Sequence, residues 1–290
     1  MPARDARQGE VSTVKIFIRY ATVLLVAAVV AGCAANKLAV PPGTVQPDQY
    51  LYTQGAASLK DHKWLDARQL FQKIVDDYPQ SQYLPQAKLG LGDSYLGEST
   101  PESLVLALNQ YREYLTYYPT SDQAPYAQYQ LAMTHFKQMR GPERDQTQTR
   151  DAIQEFETFL QRYPNSQLVN DAREKLRDAR NRLDEHDYEV GLFYFRINWY
   201  PGAIDRFQAL LKSDPQYSGR DAVLFYLGES LLKLKRPAEA LPYYAELIKQ
   251  FERSEYLQEA QKRIASLKES MKTEQKKQQA VTAGSPVGGR

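Results

Sequence analysis

The sequence predicts an all-α chain built as an array of helix pairs, and two regularities carry that reading. Tyr78-Pro79, Tyr118-Pro119, Tyr163-Pro164 and Asp214-Pro215 each close a segment of helical periodicity, with prolines 40, 45 and 51 residues apart. The first three extend to Tyr-Pro-x-Ser at Ser81, Ser121 and Ser166, and Phe251-Glu252-Arg253-Ser254 keeps the frame of a fifth copy without the proline. Proline cannot continue a helix and serine caps the next one, so each motif reads as one helix stopping and another starting. The second regularity lies upstream. Twelve residues before each proline stands an alanine (Ala67, Ala107, Ala152, Ala203), and the same count from Glu252 reaches Ala240. Eight residues before stands a ring: Phe71, Tyr111, Phe156, Phe207 and Tyr244. A small residue with a ring at i+4 lets two helices approach closely and wedges a side chain between them.

Twelve residues before the alanine, Gly55, Gly191 and Gly228 in copies one, four and five permit close contact with the paired helix. Copy two reaches Gly92 fifteen residues back and copy three reaches Ala132 twenty back, which places insertions of three and eight residues in their turns. These spacings resemble the tetratricopeptide repeat, and imply a solenoid of five helix pairs plus a C-terminal capping helix. In order, the helices are expected at 48–60 with 63–78, 83–97 with 102–118, 124–139 with 147–163, 184–197 with 200–213, and 220–234 with 237–251, followed by a cap from 255 to 271. Between copies three and four, Leu168 to Asn198 holds no proline and only Gly191, so it reads as a single helix of about 30 residues, roughly 45 Å long. That helix divides the expected array into repeats 1–3 (48–167) and a segment 168–271 holding repeats 4 and 5. Residues 272–290 are polar, carry Gly284, Pro286, Gly288 and Gly289, and read as a disordered tail.

The N-terminus addresses the compartment. Arg4, Arg7, Lys15 and Arg19 precede an uncharged apolar run from Ala21 to Ala31, too short to span a bilayer and suited to a secretory leader over 1–32. Val30-Ala31-Gly32-Cys33 follows, resembles the lipobox of bacterial lipoproteins and holds the only cysteine of the chain. The resemblance implies cleavage before Cys33, a diacylglycerol thioether on its sulfur and an acyl chain on its amine. Two or more chains suffice for stable anchoring at about 0.8 kcal/mol per buried CH₂. Ala34, where an aspartate would by the same resemblance retain the protein in the inner membrane, points to the outer membrane and its periplasmic face. Residues 33–47, with Pro41, Pro42, Gly43 and Pro47, read as the lipidated cysteine and a flexible tether.

Composition narrows the function. Four basic and two acidic side chains lie in 1–32, so the formal +2 belongs to the leader and the remainder is electrically balanced. That is not the phosphate-neutralising surface of a nucleic-acid binder. His62, His135 and His186 lack metal-ligand spacing, and there is no G-x-S-x-G, phosphate loop or H-E-x-x-H. A non-enzymatic protein without a cofactor, other than the covalent lipid on Cys33, is the reading.

A solenoid offers a concave surface instead. In tetratricopeptide geometry the first helix of each pair lines it, which puts Tyr52, Leu89, Tyr129, Tyr188 and Phe225 in one row and Ala56, Asp93, Met133, Leu192 and Glu229 in the next. A third row holds Leu59, Leu96, Phe136, Phe195 and Leu232. The surface is aromatic and apolar, in keeping with 21 Tyr against 10 Phe. Third-row rings are expected to pack neighbouring helices; first-row rings divide between packing and ligand contact.

Lipobox, Pro-rich tether, five repeats with an insertion in the third and a long helix between copies three and four together resemble the BamD (YfiO) family of outer-membrane assembly lipoproteins. The matching residues are Tyr118-Pro119-Thr120-Ser121 with Tyr126 and Tyr129; Asp145 and Arg150-Asp151; Phe156; Tyr163-Pro164-Asn165-Ser166 with Asn170-Asp171-Ala172; then Val190, Tyr194, Arg196, Ala203 and Arg206. Trp199-Tyr200-Pro201 departs from the family's more ordinary helix start. The resemblance implies an assembly factor with three kinds of partner: the periplasmic domains of a β-barrel insertase, other assembly lipoproteins, and unfolded outer-membrane proteins. By the same resemblance Arg206, with Arg196 and Tyr194, contacts the insertase through the C-terminal repeats. Tyr52, Tyr126, Tyr129 and Phe136 are the candidates for the substrate groove, where they would stack on the aromatic C-terminal signal of a client. The alternative is another tetratricopeptide lipoprotein that scaffolds cell-wall synthesis or division.

Overall fold

The computed structural model describes residues 39–283, and among them there are eleven helices and no strand. They are α1 (Pro47–Lys60), α2 (Trp64–Asp77), α3 (Leu84–Glu98), α4 (Pro101–Tyr117), α5 (Ala124–Lys137), α6 (Thr147–Arg162), α7 (Val169–Arg196), α8 (Tyr200–Ser213), α9 (Arg220–Lys233), α10 (Pro237–Gln250) and α11 (Leu257–Ala283). The paired-helix, all-α repeat architecture is the one the spacings predict. The leader and Cys33 lie outside the described residues.

The alanine-and-ring ladder is the core. Ala67, Ala107, Ala152, Ala203 and Ala240 are all fully buried, and the rings four residues on are no more than 1% exposed. Each fully buried ring contributes about 1.5–3 kcal/mol relative to leaving it in water. The glycines explain how the rings fit. A Cβ on Gly55 would stand 2.7 Å from the Phe71 ring, one on Gly191 2.5 Å from Phe207, and one on Gly228 2.6 Å from Tyr244. Phe71 is flanked twice, because a Cβ on Gly90 of α3 would also come within 2.4 Å of it.

Turns within pairs use a left-handed residue that is not glycine: His62, Ser99, Asn198 and Lys235, with φ between 55° and 63°. The turn of repeat three is longer, as its insertion predicts. There Gln146, 1% exposed, holds the loop by donating to the Gly141 and Arg144 carbonyls and accepting from the Thr149 hydroxyl.

Turns between pairs correct the expected role of the serine. Ser81, Ser121, Ser166 and Ser254 do not cap the following helix; each hydroxyl oxygen accepts from the amide two residues on, at 3.0, 3.1, 3.3 and 3.1 Å. Each serine amide in turn donates to the carbonyl of the tyrosine or phenylalanine three residues back. This is a local serine turn that closes the link itself. In repeat four, where Tyr217 takes the serine's place, its amide still donates to the Asp214 carbonyl at 3.2 Å, and the side chain of Asp214 accepts from the Gln216 amide at 2.8 Å, three residues earlier in the turn than the serine bond.

The chain divides into two compact units between Gly97 and Glu98. The first is centred on Leu51, Ala67, Leu70, Phe71, Ile74, Ala87 and Leu91. The second holds one core around Ala132, Ala152, Phe156 and Phe159, and another around Phe207, Leu224, Leu227 and Tyr244. No division falls at residue 168, because α7 serves both of these cores: Val169, Ala172 and Leu176 enter one, Tyr188 and Leu192 the other. At 28 residues α7 is about 42 Å long.

The last helix also differs from expectation. It continues to Ala283 instead of ending near 271, so 272–283 is helix rather than disordered tail. Lys272 to Ala283 lacks proline and glycine and is rich in Lys, Gln, Glu and Ala, whose helix propensity sustains a segment that its polarity suggested would be unstructured.

Candidate functional site

Two surfaces emerge from the repeats. The first is the row of rings on the leading helices. In the first unit Leu89 is buried and Tyr52 half-buried. Tyr52 leans on Phe71, centroids 6.1 Å apart, and carries Tyr83 stacked on it at 5.1 Å and 18°. The turn beneath is tied to α1, because the Ser81 hydroxyl donates to Asp48 at 2.6 Å and holds that carboxyl below its ordinary value.

In the second unit, α5 presents Tyr126, Tyr129 and Phe136, all half-buried. Tyr129 sits edge-on to Phe156 and Phe159, and its hydroxyl donates to Asp171 at the start of α7. Burial, and then that carboxylate, push its phenol well above the usual tyrosine range. Phe136 packs edge-on to Phe156, with the Lys175 ammonium 5.8 Å above its ring. Tyr126 contacts Gln130, whose amide donates to its oxygen at 2.8 Å. The structure therefore joins Tyr129 and Phe136 through a shared ring of the repeat-three core, sets Tyr126 beside them on α5, and places Tyr52 in the other unit.

Further along, Tyr188 is buried and Phe225 half-buried, and Tyr256 stacks on Phe225 at 4.8 Å and 25°. The acidic residue of the second row, Glu229, is neutralised from within: Arg263 of α11 contacts its two oxygens at 2.7 and 3.3 Å and the Tyr244 hydroxyl donates to it at 2.6 Å.

The second surface is the α7–α8 corner. Phe193, Ile197 and Trp199 are 55%, 52% and 52% exposed there. They share a corner because α7 ends at Arg196 and Asn198, left-handed at φ 63°, turns the chain back into α8. The core side of this stretch of α7 is taken by Tyr188, Gly191 and Leu192, so Phe193 and Ile197, one turn apart, face outward. Tyr194 meets Trp199 edge-on, centroids 4.6 Å apart. Trp199 lies over Gly202, where a Cβ would come within 2.5 Å of the indole. Arg206, exposed and one turn beyond Gly202, extends the same face. Arg196 is exposed as well, 3.9 Å from Glu189.

Of the sequence-selected residues of this region, Tyr194 and Arg196 fall at this corner and Arg206 lies about two turns beyond Trp199 on α8. Sequence reasoning missed the apolar members, although Trp199-Tyr200-Pro201 stood out as a departure and Phe193/Ile197 share an i, i+4 face opposite the core. Exposed apolar side chains flanked by arginines form the kind of patch that marks a protein interaction site. Among the described residues no group of His, Cys, Asp and Glu could hold a metal ion, and no helix is long and apolar enough to cross a membrane.

Comparison with known proteins adds relatives. A family model described as YfiO, outer membrane lipoprotein, matches residues 45–240. An outer membrane protein assembly factor BamD of Caulobacter vibrioides is 31% identical over 221 residues, 75% of this chain and 70% of the relative. The protein of the same name from Vibrio cholerae is 30% identical over 202 residues, 66% of this chain and 81% of the relative. Among solved structures, the tetratricopeptide domains of yeast Sti1 align over 78% of this chain at 13% identity and a TM-score of 0.40.

Proposed function

The chain belongs to the YfiO family of outer-membrane lipoproteins, and we propose that it is a non-enzymatic factor of outer-membrane β-barrel protein assembly, held at the periplasmic face by acyl chains on Cys33. Its α7–α8 corner engages the periplasmic domains of the insertase, and the half-buried rings of its leading helices receive the aromatic C-terminal signal of unfolded clients. The observation that carries the partner assignment is the exposure of Phe193, Ile197 and Trp199, with Arg206 exposed about two turns further along α8. An apolar centre with a charged rim is how a specific contact is built, the rings supplying burial and the arginines orientation.

The lipidated cysteine enters this reading through the Val30-Ala31-Gly32-Cys33 motif, and the other assembly lipoproteins of the complex through family membership alone. For the client site, Tyr126 is the better probe: Tyr129 and Phe136 also support the repeat-three core, and replacing either by alanine would confuse loss of binding with loss of packing.

Co-purification from envelopes tests the partner assignment. Arg206→Glu and Trp199→Ala should each reduce recovery of the insertase while leaving the helical circular dichroism unchanged, because neither side chain is buried. Full recovery with both variants would remove the assignment. Capture of cell-wall synthesis proteins in place of the insertase would favour the scaffold alternative.

A further inference from the structure

The packed face of α7 is interrupted by charge at its middle. Its buried apolar side chains run from Val169 to Ala179 and resume at Tyr188, and the buried residue between is Asp184. Around it, successive side chains reach to segments on either side. Glu185 accepts from the Tyr217 hydroxyl at 2.5 Å, in the turn after α8. Asn181 accepts from the Ser218 amide in the same turn at 3.4 Å. His186 donates through Nδ1 to the Pro142 carbonyl, 2.6 Å away in the inserted loop of repeat three. Asp184 itself stands 3.2 Å from Nη2 of Arg177, and that same nitrogen holds Asp214 of the turn.

The charges do not balance. One guanidinium serves two carboxylates whose side chains are only 10% and 13% exposed. Asp214 and Asp187 both oppose a negative charge on Asp184, and Nε of Arg177 is buried without a hydrogen-bond partner. Two facing carboxylates in a low-dielectric site do not both ionise cheaply, so one of them retains a proton.

We propose that Asp184, Arg177 and Asp214 are a proton-dependent clasp: with Asp184 protonated, the turn 214–218 is closed onto the middle of α7, and with Asp184 ionised that turn is released, loosening the joint between the repeat-three core and the core of repeats four and five. Burial, then the hydrogen bond and charge of Asp214, push the Asp184 carboxyl up to about 7, with Arg177 opposing. Burial is the largest single influence on Asp214 and acts to raise it, but the hydrogen bonds from Arg177, Asp184 and the Gln216 amide, with the charge of Arg177, together outweigh it and hold this carboxyl low. The proton therefore sits on Asp184. Because its value when closed lies above that of a free carboxyl, the closed form carries the extra proton, and closure weakens as pH rises from about 4 to about 7. The charged and titratable groups facing Asp184 are Arg177 and Asp187 of α7 and Asp214 of the turn; Tyr217, paired with Glu185, stands beside them. Client rings on α5 belong to one of the two cores and the α7–α8 corner to the other, so proton occupancy would couple the two surfaces.

Amide hydrogen exchange on the full chain, corrected for intrinsic rates, tests the clasp. Between pH 5.5 and 8.5 the protection of 214–218 should fall roughly thirtyfold, the change that one proton held near pH 7 imposes across that range. Asp184→Asn, which keeps a hydrogen-bonding donor and cannot ionise, should show protection independent of pH. A flat profile in the wild type, or the same fall in Asp184→Asn, would overturn the proposal. If Asp184→Asn does not fold, Asp214→Asn decides: removing the facing carboxylate must move the midpoint to lower pH, and an unmoved midpoint is equally fatal.

Discussion

Tyr83 lies nearly parallel to Tyr52, ring centroids 5.1 Å apart, and 173 residues later Tyr256 lies the same way on Phe225. Both pairs are 31 residues apart in the chain and join the leading helix of a repeat to the residue two past the closing serine. Repeats one and five therefore cover a first-row ring with a second ring from the following turn. Stacked pairs of this kind contribute about 0.5–1.5 kcal/mol beyond their area burial. A double-mutant cycle of Phe225→Ala with Tyr256→Ala should give a coupling in that range in urea unfolding. Additive effects would mean that the stack is incidental.

That covering also bears on client capture. Tyr188 is buried; at the half-buried first-row rings Tyr52, Tyr129 and Phe225 the exposed part is what remains after the repeat aromatic and, at Tyr52 and Phe225, the stacked tyrosine have taken their share. At Tyr129 the competition is settled more fully, since two rings and Asp171 engage it. Tyr129→Phe should cost about 1 kcal/mol, the usual net worth of one hydrogen bond, and Tyr129→Ala about 3–5 kcal/mol, both read from chemical unfolding. Equal, negligible losses would show that the ring is free for ligand after all.

The ladder of alanines and rings was legible in the sequence because helix periodicity fixes which side chains share a face, so counting from each proline found the buried positions directly. The serines were misassigned because a hydroxyl that caps a helix and one that closes its own turn occupy the same place in the sequence and differ only in which amide they reach. Nor could spacing reveal that Phe193, Ile197 and Trp199 are exposed: burial depends on which neighbours arrive, and at that corner the core side of α7 is already occupied. The extent of α11 was missed for the opposite reason, since local propensity sustains a helix where an apolar stripe gives little support.

Gly191 tests the ladder from its other side. A methyl group there would stand 2.5 Å from the Phe207 ring, and that ring is fully buried against α7 and cannot swing away. Gly191→Ala should therefore destabilise the second unit by about 1–3 kcal/mol in thermal or chemical unfolding, despite the better helix propensity of alanine. Stabilisation instead would mean that the two helices separate readily.

Lys235 offers the reverse change. It turns α9 into α10 at φ 57°, a conformation that costs a side-chain-bearing residue roughly 1–2 kcal/mol and glycine almost nothing. Lys235→Gly should raise the unfolding midpoint, with a gain of about 0.5–1 kcal/mol after the greater freedom of glycine in the unfolded chain is deducted. His62→Gly in the first unit should behave alike, and a loss at both sites would show that these side chains hold their turns in another way.

The attachment of α11 depends on Arg263, which spans both oxygens of Glu229 while Tyr244 donates to one of them. Glu229 lies within the core of the last two repeats, its side chain 12% exposed, so removal of the arginine leaves a largely buried anion with one neutral donor. Arg263→Ala should cost about 1–3 kcal/mol, less than for a fully buried pair because the guanidinium is itself 40% exposed. Glu229→Gln removes the anion as well as the pair and should cost less. If the charge is what fixes α11, amide exchange along 257–267 will accelerate in Arg263→Ala more than in Glu229→Gln; equal acceleration would assign the attachment to Leu257, Ile264 and Leu267, the apolar side chains that α11 packs on the same core.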